Sequence, residues 1–297
     1  MSTVQILMST YNGGMYIDEQ MESLCKQLGV KTSLLIRDDG STDDTIEKVY
    51  KYVSQMGVEI IKGKNKGVIN SFFELIKAAN LSYDFFALCD QDDVWDYDKL
   101  LIATSRLSKY QGVPALYYSS KRIVDENLTV LKENSNEGGK LNFHEVLIGN
   151  NATGCTMVFN KVLLEELKQY VPSDIIMHDH WIYSLCLAMD GVVIFDKEAH
   201  ISYRQHGRNV IGVRRGVFDI IKNSSLFKKK FRSNTAKQIL VNYEHSIPNE
   251  KRKILEVHAF YYKSIRDKLR LLKMEMGNCQ GGKRKIIFLC NVLLGIY

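Results

Sequence analysis

The feature that most constrains the fold of this chain is the alternation, through its first hundred residues, of short apolar runs with segments of helical periodicity. Four apolar runs have the length of strands, at residues 4–8, 34–36, 58–61 and 85–89. Between them, apolar side chains recur at the three- and four-residue spacing of an amphipathic helix. Repeated strand–helix units predict an α/β fold, with a mostly parallel sheet flanked by helices.

Composition places the chain among globular proteins. It has 297 residues, of which 45% are hydrophobic and 25% charged. No window reaches the roughly 18 apolar residues of a membrane-spanning helix, and the first residues do not resemble a secretory signal. The six cysteines form no CxxC pair. We therefore expect reduced thiols and a cytoplasmic location.

Charge is unevenly distributed along the chain. The net charge is +6, but residues 204–297 carry 21 Lys and Arg against 6 Asp and Glu, a net of +15, whereas residues 1–203 have a net of −9. A Gly- and Arg-rich stretch at residues 207–216 precedes the basic, helical part. We therefore predict one domain over residues 1–213 and a basic helical extension over residues 214–297.

Polar segments follow the first two predicted strands, where parallel sheets bind their ligands. Residues 9–14 read STYNGG, which could approach a nucleotide or could be an ordinary turn. Residues 37–44 read RDDGSTDD. One of the adjacent acids Asp38 and Asp39 could accept the N–H of a pyrimidine base. The alternative is a helix-capping loop, a role that suits Asp43 better.

An acidic cluster follows the fourth predicted strand, where residues 89–95 read CDQDDVW. Three carboxylates within four residues repel one another unless a cation lies among them. Oxygen ligands of this kind suit Mg²⁺ or Mn²⁺, which also bind substrate phosphates. The alternative is a solvated acidic turn. The apolar strand before the cluster and Trp95 after it argue against full exposure.

Two later positions carry candidate chemistry. In HDHW, at residues 178–181, Asp179 could act as a general base on an acceptor hydroxyl, and the aromatic ring of Trp181 could pack against a sugar. The alternative is a helix-capping Asp beside a buried Trp. His206 could bind a metal or a phosphate, although a lone His more often has a structural role.

Taken together, STYNG, RDDGSTDDT, NKG at residues 65–67 and CDQDDVW resemble the family 2 glycosyltransferases, which have the GT-A (Rossmann-like) fold. The resemblance extends over about two thirds of the chain, to His206. It implies inverting transfer from a nucleoside diphosphate sugar with one divalent metal, Mn²⁺ or Mg²⁺. It also implies a nucleotide-sugar-binding half over residues 1–100 and an acceptor-binding half over residues 101–213. Signatures of dinucleotide, P-loop, α/β-hydrolase and zinc-protease sites are absent.

The resemblance also implies roles for individual residues. The residues expected to bind the donor are Thr10, Tyr11, Asn12, Asp39, Lys66, Gly67 and Asp90. Those expected to bind the metal are Asp92, Asp93 and His206. Those expected to contact the acceptor are Trp95, His178, His180 and Trp181. The DQDD sequence offers two registers, so Asp92 is favoured as a ligand and the choice between Asp90 and Asp93 stays open. Asp179 matches the catalytic base, although His178 replaces the expected Glu.

A narrower resemblance, to bacterial rhamnosyltransferases of surface polysaccharide assembly, rests on CDQDDVW, HDHW, the Gly149–Cys155 segment and YRQHG. It implies dTDP-L-rhamnose as donor and a saccharide acceptor on a lipid. A UDP-hexose transferase or galactofuranosyltransferase is the alternative within the fold. An inactive sugar-nucleotide-binding scaffold and a nucleic-acid-binding protein are the alternatives of other classes.

The basic extension allows two interpretations. A basic amphipathic helix is typical of proteins that bind anionic membrane surfaces, which would place the protein on the cytoplasmic face of the membrane. The alternative is a helical hairpin with a solvated face. The extension lacks a nucleic-acid-binding motif, so we expect no nucleic-acid partner. A homo-oligomer built through this region is compatible with the sequence.

Overall fold

The structure consists of two units of contacting residues. Apart from the side chains at positions 283 and 284, the computed structural model describes residues 1–134, 142–150, 152–207, 230–279 and 282–297. The first unit comprises Met1–Gly138, Ala152–Val171 and Gly191–Asn209, and the second comprises Gly139–Asn151, Pro172–Asp190 and Val210–Tyr297. The predicted boundary after residue 213 lies outside the described residues, so that division into domains stays a prediction.

All the described strands belong to the first unit. They are β1 Ser2–Thr10, β2 Val30–Asp38, β3 Gly57–Lys62, β4 Phe85–Cys89, β5 Val94–Trp95, β6 Ala115–Val124, β7 Val130–Lys132, β8 Val158–Asn160 and β9 Val192–Arg204. They form one sheet in the order β3-β2-β1-β4-β8-β6-β9-β5, with β7 paired to β6. The first four strands pair in parallel, as the repeated strand–helix pattern predicts. The expected α/β fold is therefore confirmed.

The described helices are divided between the units. They are α1 Ile17–Cys25, α2 Thr45–Tyr50, α3 Val68–Ala78, α4 Lys99–Leu107, α5 Phe143–Ile148, α6 Lys161–Leu167, α7 His178–Ala188, α8 Phe231–Asn242, α9 Asn249–Phe260, α10 Ile265–Glu275 and α11 Gly282–Leu294. Helices α5, α7 and α8 to α11 belong to the second unit. None of these described helices combines the length and the apolar character that crossing a bilayer requires.

Strand register positions the candidate site. Thr10 pairs with Asp38 at the ends of β1 and β2, and Asp38 pairs with Lys62 at the end of β3. Met8 pairs with Cys89, the last residue of β4. Every residue of β4 is buried, so this register is held by apolar packing on both faces. The polar segments after β1, β2 and β4 therefore meet at one edge of the sheet.

Two sequence-based strand predictions differ from the structure. Residues 153–159 are not one strand, because Gly154–Thr156 is a 3-10 helix and only Val158–Asn160 is extended. Residues 192–195 and 201–204 are parts of one strand, β9. Its polar middle interrupts the apolar pattern, but pairing with β6 continues across two register shifts, which absorb the irregular residues.

The second unit has its own apolar core and a buried polar group. The core joins Tyr261, Leu271, Phe288 and residues near them from α9 to α11. Within it, the Glu275 carboxylate is 2.7 Å from His144 Nδ1 and 3.0 Å from His258 Nε2. Burial alone would raise the pKa of Glu275, but the two histidine contacts outweigh it and lower that pKa to about 2.

Candidate functional site

The loop after β1 is held against the loop after β2 by short polar contacts. The Thr10 hydroxyl donates to Asp38 Oδ1 at 3.1 Å. Asn12 N donates to Ser41 Oγ at 2.9 Å, and Asn12 Oδ1 accepts from Thr42 N at 2.8 Å. Asn12 has a φ of 47°, a left-handed conformation that Asn tolerates better than most residues. The predicted donor residues Thr10 and Asn12 thus lie in one ordered turn.

Asp39 connects the end of β2 to the NKG segment. Its carboxylate is buried, with Oδ1 accepting from Lys66 N and Oδ2 from Gly67 N, both at 2.8 Å. Arg37 Nη1 lies 3.2 Å from Oδ1. Gly67 has a φ of 79°, which favours glycine at this turn. These contacts bring three predicted donor residues, Asp39, Lys66 and Gly67, together. Binding of a nucleoside by Asp39 stays a prediction.

Gln91, which the sequence analysis did not single out, joins the acidic cluster to the loop after β1. Tyr11 N donates to Gln91 Oε1 at 2.8 Å, and Gln91 Nε2 donates to Tyr11 O at 3.1 Å. The Tyr11 side chain itself is exposed. A Cβ at Gly13 would lie 2.2 Å from Gln91 Oε1, so a side chain at this position would displace Gln91 from its present contacts. The only signal in the sequence is the position of Gln91 inside DQDD.

The structure pairs two predicted metal ligands that are 114 positions apart. Asp92 Oδ2 lies 2.8 Å from His206 Nε2. The His206 ring stacks on Tyr16, with centroids 4.7 Å apart and planes 30° apart. The imidazole is therefore held on one face by an aromatic ring and at its edge by a carboxylate.

Asp93 occupies a different environment from Asp92. It is 1% exposed, and its Oδ1 accepts from Arg204 N at 3.1 Å. Burial, and then the charges of Asp92 and Asp90, raise the pKa of Asp93 well above its usual range. Asp90, Asp93 and the Cys155 thiol each place a ligand atom within 4.8 Å of the others. A second grouping of metal-ligand type thus lies inside the fold.

Arg204 is a site residue that the sequence analysis missed. It is 1% exposed, its Nε donates to Asp92 O at 2.9 Å, and it forms an ion pair with Glu19. Its guanidinium lies 4.7 Å from the centre of the Tyr16 ring. Arg204 therefore supports both Asp92 and the ring on which His206 stacks. Its position in YRQHG, two residues before His206, was the available signal.

The donor set around Asp92 fits a divalent cation that also binds substrate. Such a cation needs oxygen or imidazole ligands and open positions. Asp90 and Asp92 are partly exposed. A neutral His206 has two tautomers, and in each of them one ring nitrogen is free of a proton and can act as a ligand. Asp93 and Cys155 are buried, so a cation between them would lack an open face. The pair Asp92 and His206 is the better match, whereas Asp90 groups with Asp93 and Cys155.

Asp179 lies in the second unit, in the first turn of α7. It is 7% exposed. Its Oδ1 accepts from Asn150 Nδ2 at 3.0 Å and from His180 N at 2.6 Å. A carboxylate in a first helical turn is stabilised by the helix dipole. These two hydrogen bonds fix the orientation of the carboxylate at the start of α7.

Comparison with known families agrees with these motifs. Residues 5–167 match the sequence model of Glycosyl transferase family 2. The chain is a family 2 glycosyltransferase. This match covers β1 to α6, and so includes the turns after β1, β2 and β4 that form the candidate donor site.

Curated relatives of this glycosyltransferase act on different nucleotide sugars. The dTDP-rhamnosyl transferase RfbG of Shigella flexneri is 32% identical over 221 residues, covering 69% of this chain and 73% of that protein. The UDP-Glc:alpha-D-GlcNAc-diphosphoundecaprenol beta-1,3-glucosyltransferase WfgD of Escherichia coli is 29% identical over 163 residues. That alignment covers 54% of this chain and 61% of WfgD.

Solved structures of other glycosyltransferases share the fold. TarS of S. aureus, in complex with UDP-GlcNAc, has a TM-score of 0.60 at 14% identity, covering 94% of this chain and 80% of that one. The mannosyltransferase PcManGT of Pyrobaculum calidifontis, in complex with GDP-Man and Mn²⁺, has a TM-score of 0.56 at 16% identity, covering 99% and 80%. At these identities the similarity establishes the fold alone.

The residues predicted to contact the acceptor are buried in the glycosyltransferase. Trp181 and His180 are 0% exposed, and His180 Nε2 bonds to Val146 O at 2.9 Å. Trp95 is 3% exposed, with Lys99 Nζ 3.8 Å from its ring centre. Burial lowers the pKa of His178, at 5% exposure, to about 3. All four side chains are buried, and a contact of any of them with an acceptor stays a prediction.

Proposed function

We propose that this glycosyltransferase transfers L-rhamnose from dTDP-L-rhamnose to a saccharide on a lipid carrier, with inversion and with a divalent cation. The observation that carries the choice of donor is the 32% identity to a dTDP-rhamnosyl transferase over 221 residues. The second relative is named for an acceptor linked to diphosphoundecaprenol, which supports a lipid-linked saccharide as the acceptor of this chain. A UDP-hexose donor is the second candidate, favoured by the UDP-Glc specificity in that same name.

The donor would be held at the sheet edge formed by β1, β2 and β4. Thr10, Tyr11, Asn12 and Asp39 are the proposed nucleoside contacts, and Lys66, Gly67 and Asp90 face the diphosphate and sugar in this proposal. A divalent cation bound by Asp92 and His206 would neutralise charge on the departing diphosphate. Lys66 carries a positive charge on the same loop, and its Nζ is paired with Glu74 Oε1 at 2.5 Å.

Asp179 is the proposed general base. It would accept the proton of an acceptor hydroxyl while that oxygen bonds to the anomeric carbon and the bond to the diphosphate oxygen breaks. Attack from the face opposite the leaving group inverts the configuration, so no protein nucleophile is needed. The bond from Asn150 to Asp179 Oδ1, at 3.0 Å, supports this role because it orients the carboxylate.

Attachment to an anionic membrane surface is part of the proposal. Helix α10 exposes Ile265 and Leu269, and α11 exposes Ile286 and Leu294, each by more than half of its surface. Residues 204–297 have a net charge of +15. Exposed apolar side chains within a strongly basic segment suit the interface of an anionic bilayer. A lipid-linked acceptor would lie on that same surface.

The test is a transfer assay with a panel of nucleotide sugars. The enzyme is supplied with dTDP-L-rhamnose, UDP-glucose, UDP-GlcNAc or UDP-galactofuranose, together with diphosphate-lipid acceptors, in Mn²⁺, Mg²⁺ or EDTA. We expect turnover with dTDP-L-rhamnose and Mn²⁺ or Mg²⁺, and none in EDTA. Turnover of a UDP-sugar alone would refute the rhamnose donor. Full turnover in EDTA would refute the cation, and retention of the anomeric configuration would refute the direct displacement.

A further inference from the structure

The second unit contains a cavity of about 270 Å³ that no role proposed above explains. Its lining comes from α5, from the residues that follow it, from α8 and from α11. Pockets for drug-sized ligands measure roughly 300–1,000 Å³. The volume therefore suits a smaller group, of the size of a single sugar ring.

One residue of the lining connects the cavity to the proposed base. Asn150 lines the cavity, and its Nδ2 donates to Asp179 Oδ1 at 3.0 Å. Asp179 and Asn150 belong to the same unit. A ligand in the cavity would thus be separated from the carboxylate by a single amide side chain.

The polar lining has the chemistry of a site for neutral hydroxyls. Three amides, those of Asn150, Asn278 and Asn291, line the cavity, and amides both donate and accept hydrogen bonds, as sugar hydroxyls do. The Nδ2 group of Asn150 already donates to Asp179, and that of Asn278 donates to Met274 O and Glu275 Oε2. Arg232 and Glu145 contribute opposite charges. An anion site would have an excess of positive charge, so this balance favours a polyol over a phosphate.

The position of Asn291 adds a second observation. Among the residues that the structure describes, its side chain has no hydrogen-bond partner, although Asn291 O accepts from Ile296 N at 2.9 Å. Beside it on α11, Ile287 and the nearly buried ring of Phe288 supply an apolar wall. An amide beside an apolar wall matches a sugar ring, which has polar edges and apolar faces.

From this lining we infer that the cavity binds one sugar ring of the acceptor saccharide and so holds the saccharide beside Asn150, the residue that orients Asp179. The inference rests on the proposed function, because it takes Asp179 to be the base. It adds that α11, in the basic extension, contributes to acceptor recognition through Asn291. Acceptor specificity would then depend on residues outside the matched range 5–167.

The test compares two variants that carry the same substitution. Asn291→Leu removes the amide from the cavity, whereas Asn242→Leu makes the same change at an exposed position of α8 that is not part of the lining. Binding of methyl α-L-rhamnoside, methyl α-D-glucoside and methyl N-acetyl-α-D-glucosaminide is measured by ligand-observed NMR titration, with inorganic phosphate as a fourth probe. Loss of a ligand hydrogen bond is worth about tenfold in affinity.

We expect at least one glycoside to bind the wild-type protein and Asn242→Leu equally, and to bind Asn291→Leu about tenfold more weakly. In transfer assays Asn291→Leu should raise the acceptor KM and leave the donor KM unchanged. Absence of glycoside binding to the wild type, equal binding by Asn291→Leu, or preferential binding of phosphate would overturn the inference. A different result, glycoside binding to the cavity without turnover of any donor, would contradict the proposed function and leave the inference about the cavity in place.

Discussion

The pair formed by Asp92 and His206 illustrates how much of the site is decided by individual side chains. The two residues are 114 positions apart and their side-chain atoms are 2.8 Å apart. The stack on Tyr16 and the contacts of Arg204 hold this pair in place. A carboxylate and an imidazole so constrained would lose little freedom if they bound the proposed cation.

Substitution of Asp179 tests the proposed base at this scale. Asp179→Asn keeps the shape of the side chain but removes its ability to take a proton. We expect kcat for transfer to fall by about 10²–10⁴, the usual contribution of a general base, while the affinity for the donor stays within about twofold. Donor affinity is measured by titration calorimetry and kcat by product formation.

The matched control for this substitution is Asp190→Asn, just beyond the other end of α7. Asp190 is exposed and has a φ of 55°, which Asn accommodates. Its transfer rate should remain close to that of the wild type. A near-normal rate for Asp179→Asn would exclude Asp179 as the base, and an equal loss in both variants would indicate a structural effect on α7.

At the scale of elements, strand register and the turns after strands bring the proposed donor-binding residues together. The register of β1 with β2 and with β4 aligns the ends of three strands. Gln91 then links the turn after β4 to the turn after β1 through two hydrogen bonds to Tyr11. A side chain at Gly13 would occupy the space that the Gln91 side chain now fills.

We expect Gly13→Ala to weaken donor binding by about tenfold, because the new methyl group displaces Gln91 and breaks its two hydrogen bonds. In a Gln91→Ala background, which has already lost those bonds, the same change at Gly13 should weaken donor binding by less than about twofold. The measurement is the donor dissociation constant of the four proteins in this cycle. Gly112→Ala, at an exposed glycine with open space around it, is the control. If Gly13→Ala weakened donor binding as much in the Gln91→Ala background as in the wild type, the explanation would be contradicted.

At the scale of the whole molecule, buried histidines make stability depend on pH. Burial lowers the pKa of His178 to about 3, and burial together with the charge of Arg232 lowers that of His180 to about 3. Their ordinary value is 6.5. Between pH 6.5 and 3 the unfolded chain therefore binds protons that the folded chain does not, and stability falls as pH falls. Glu275, with its pKa lowered to about 2, adds a loss of the same sign below pH 4.5.

We therefore expect the free energy of unfolding to be lower at pH 5 than at pH 7, by about 2 kcal/mol for each of the two histidines. In His180→Gln this dependence on pH should be weaker, because one of the two groups has been removed. His245→Gln, at an exposed position, should behave as the wild type does. Urea denaturation at a series of pH values measures the effect. A dependence unchanged by His180→Gln would show that another group causes it.

Much of the fold, and the segments that form the candidate donor site, could be predicted from local patterns. The spacing of apolar residues alone predicts the first four strands and the helices between them, because it indicates which face each element buries. Parallel sheets bind their ligands beyond the carboxyl ends of the strands, and this rule points to the turns after β1, β2 and β4 without any coordinates. The family motifs, read in the same segments, agree with the sequence model that matches residues 5–167.

Other features depend on contacts between residues far apart in the chain. HDHW left the burial of Trp181 and His180 undecided, because the same four residues suit a helix that faces an acceptor and a helix packed in the interior. The roles of Gln91 and Arg204 arise from partners 80 and 111 to 112 positions away. Such contacts are set by strand order and chain path, which local periodicity does not encode.

The sequence by itself therefore determined the α/β class, the family and the segments that carry the donor motifs, because each depends on short-range pattern. The tertiary structure decided which carboxylate of DQDD lies beside His206 and which is buried against Arg204. It also decided that Asn150 orients Asp179 and that a cavity adjoins that amide. Distances, burial and enclosed volume follow from long-range packing, and these quantities exist only once the chain has folded.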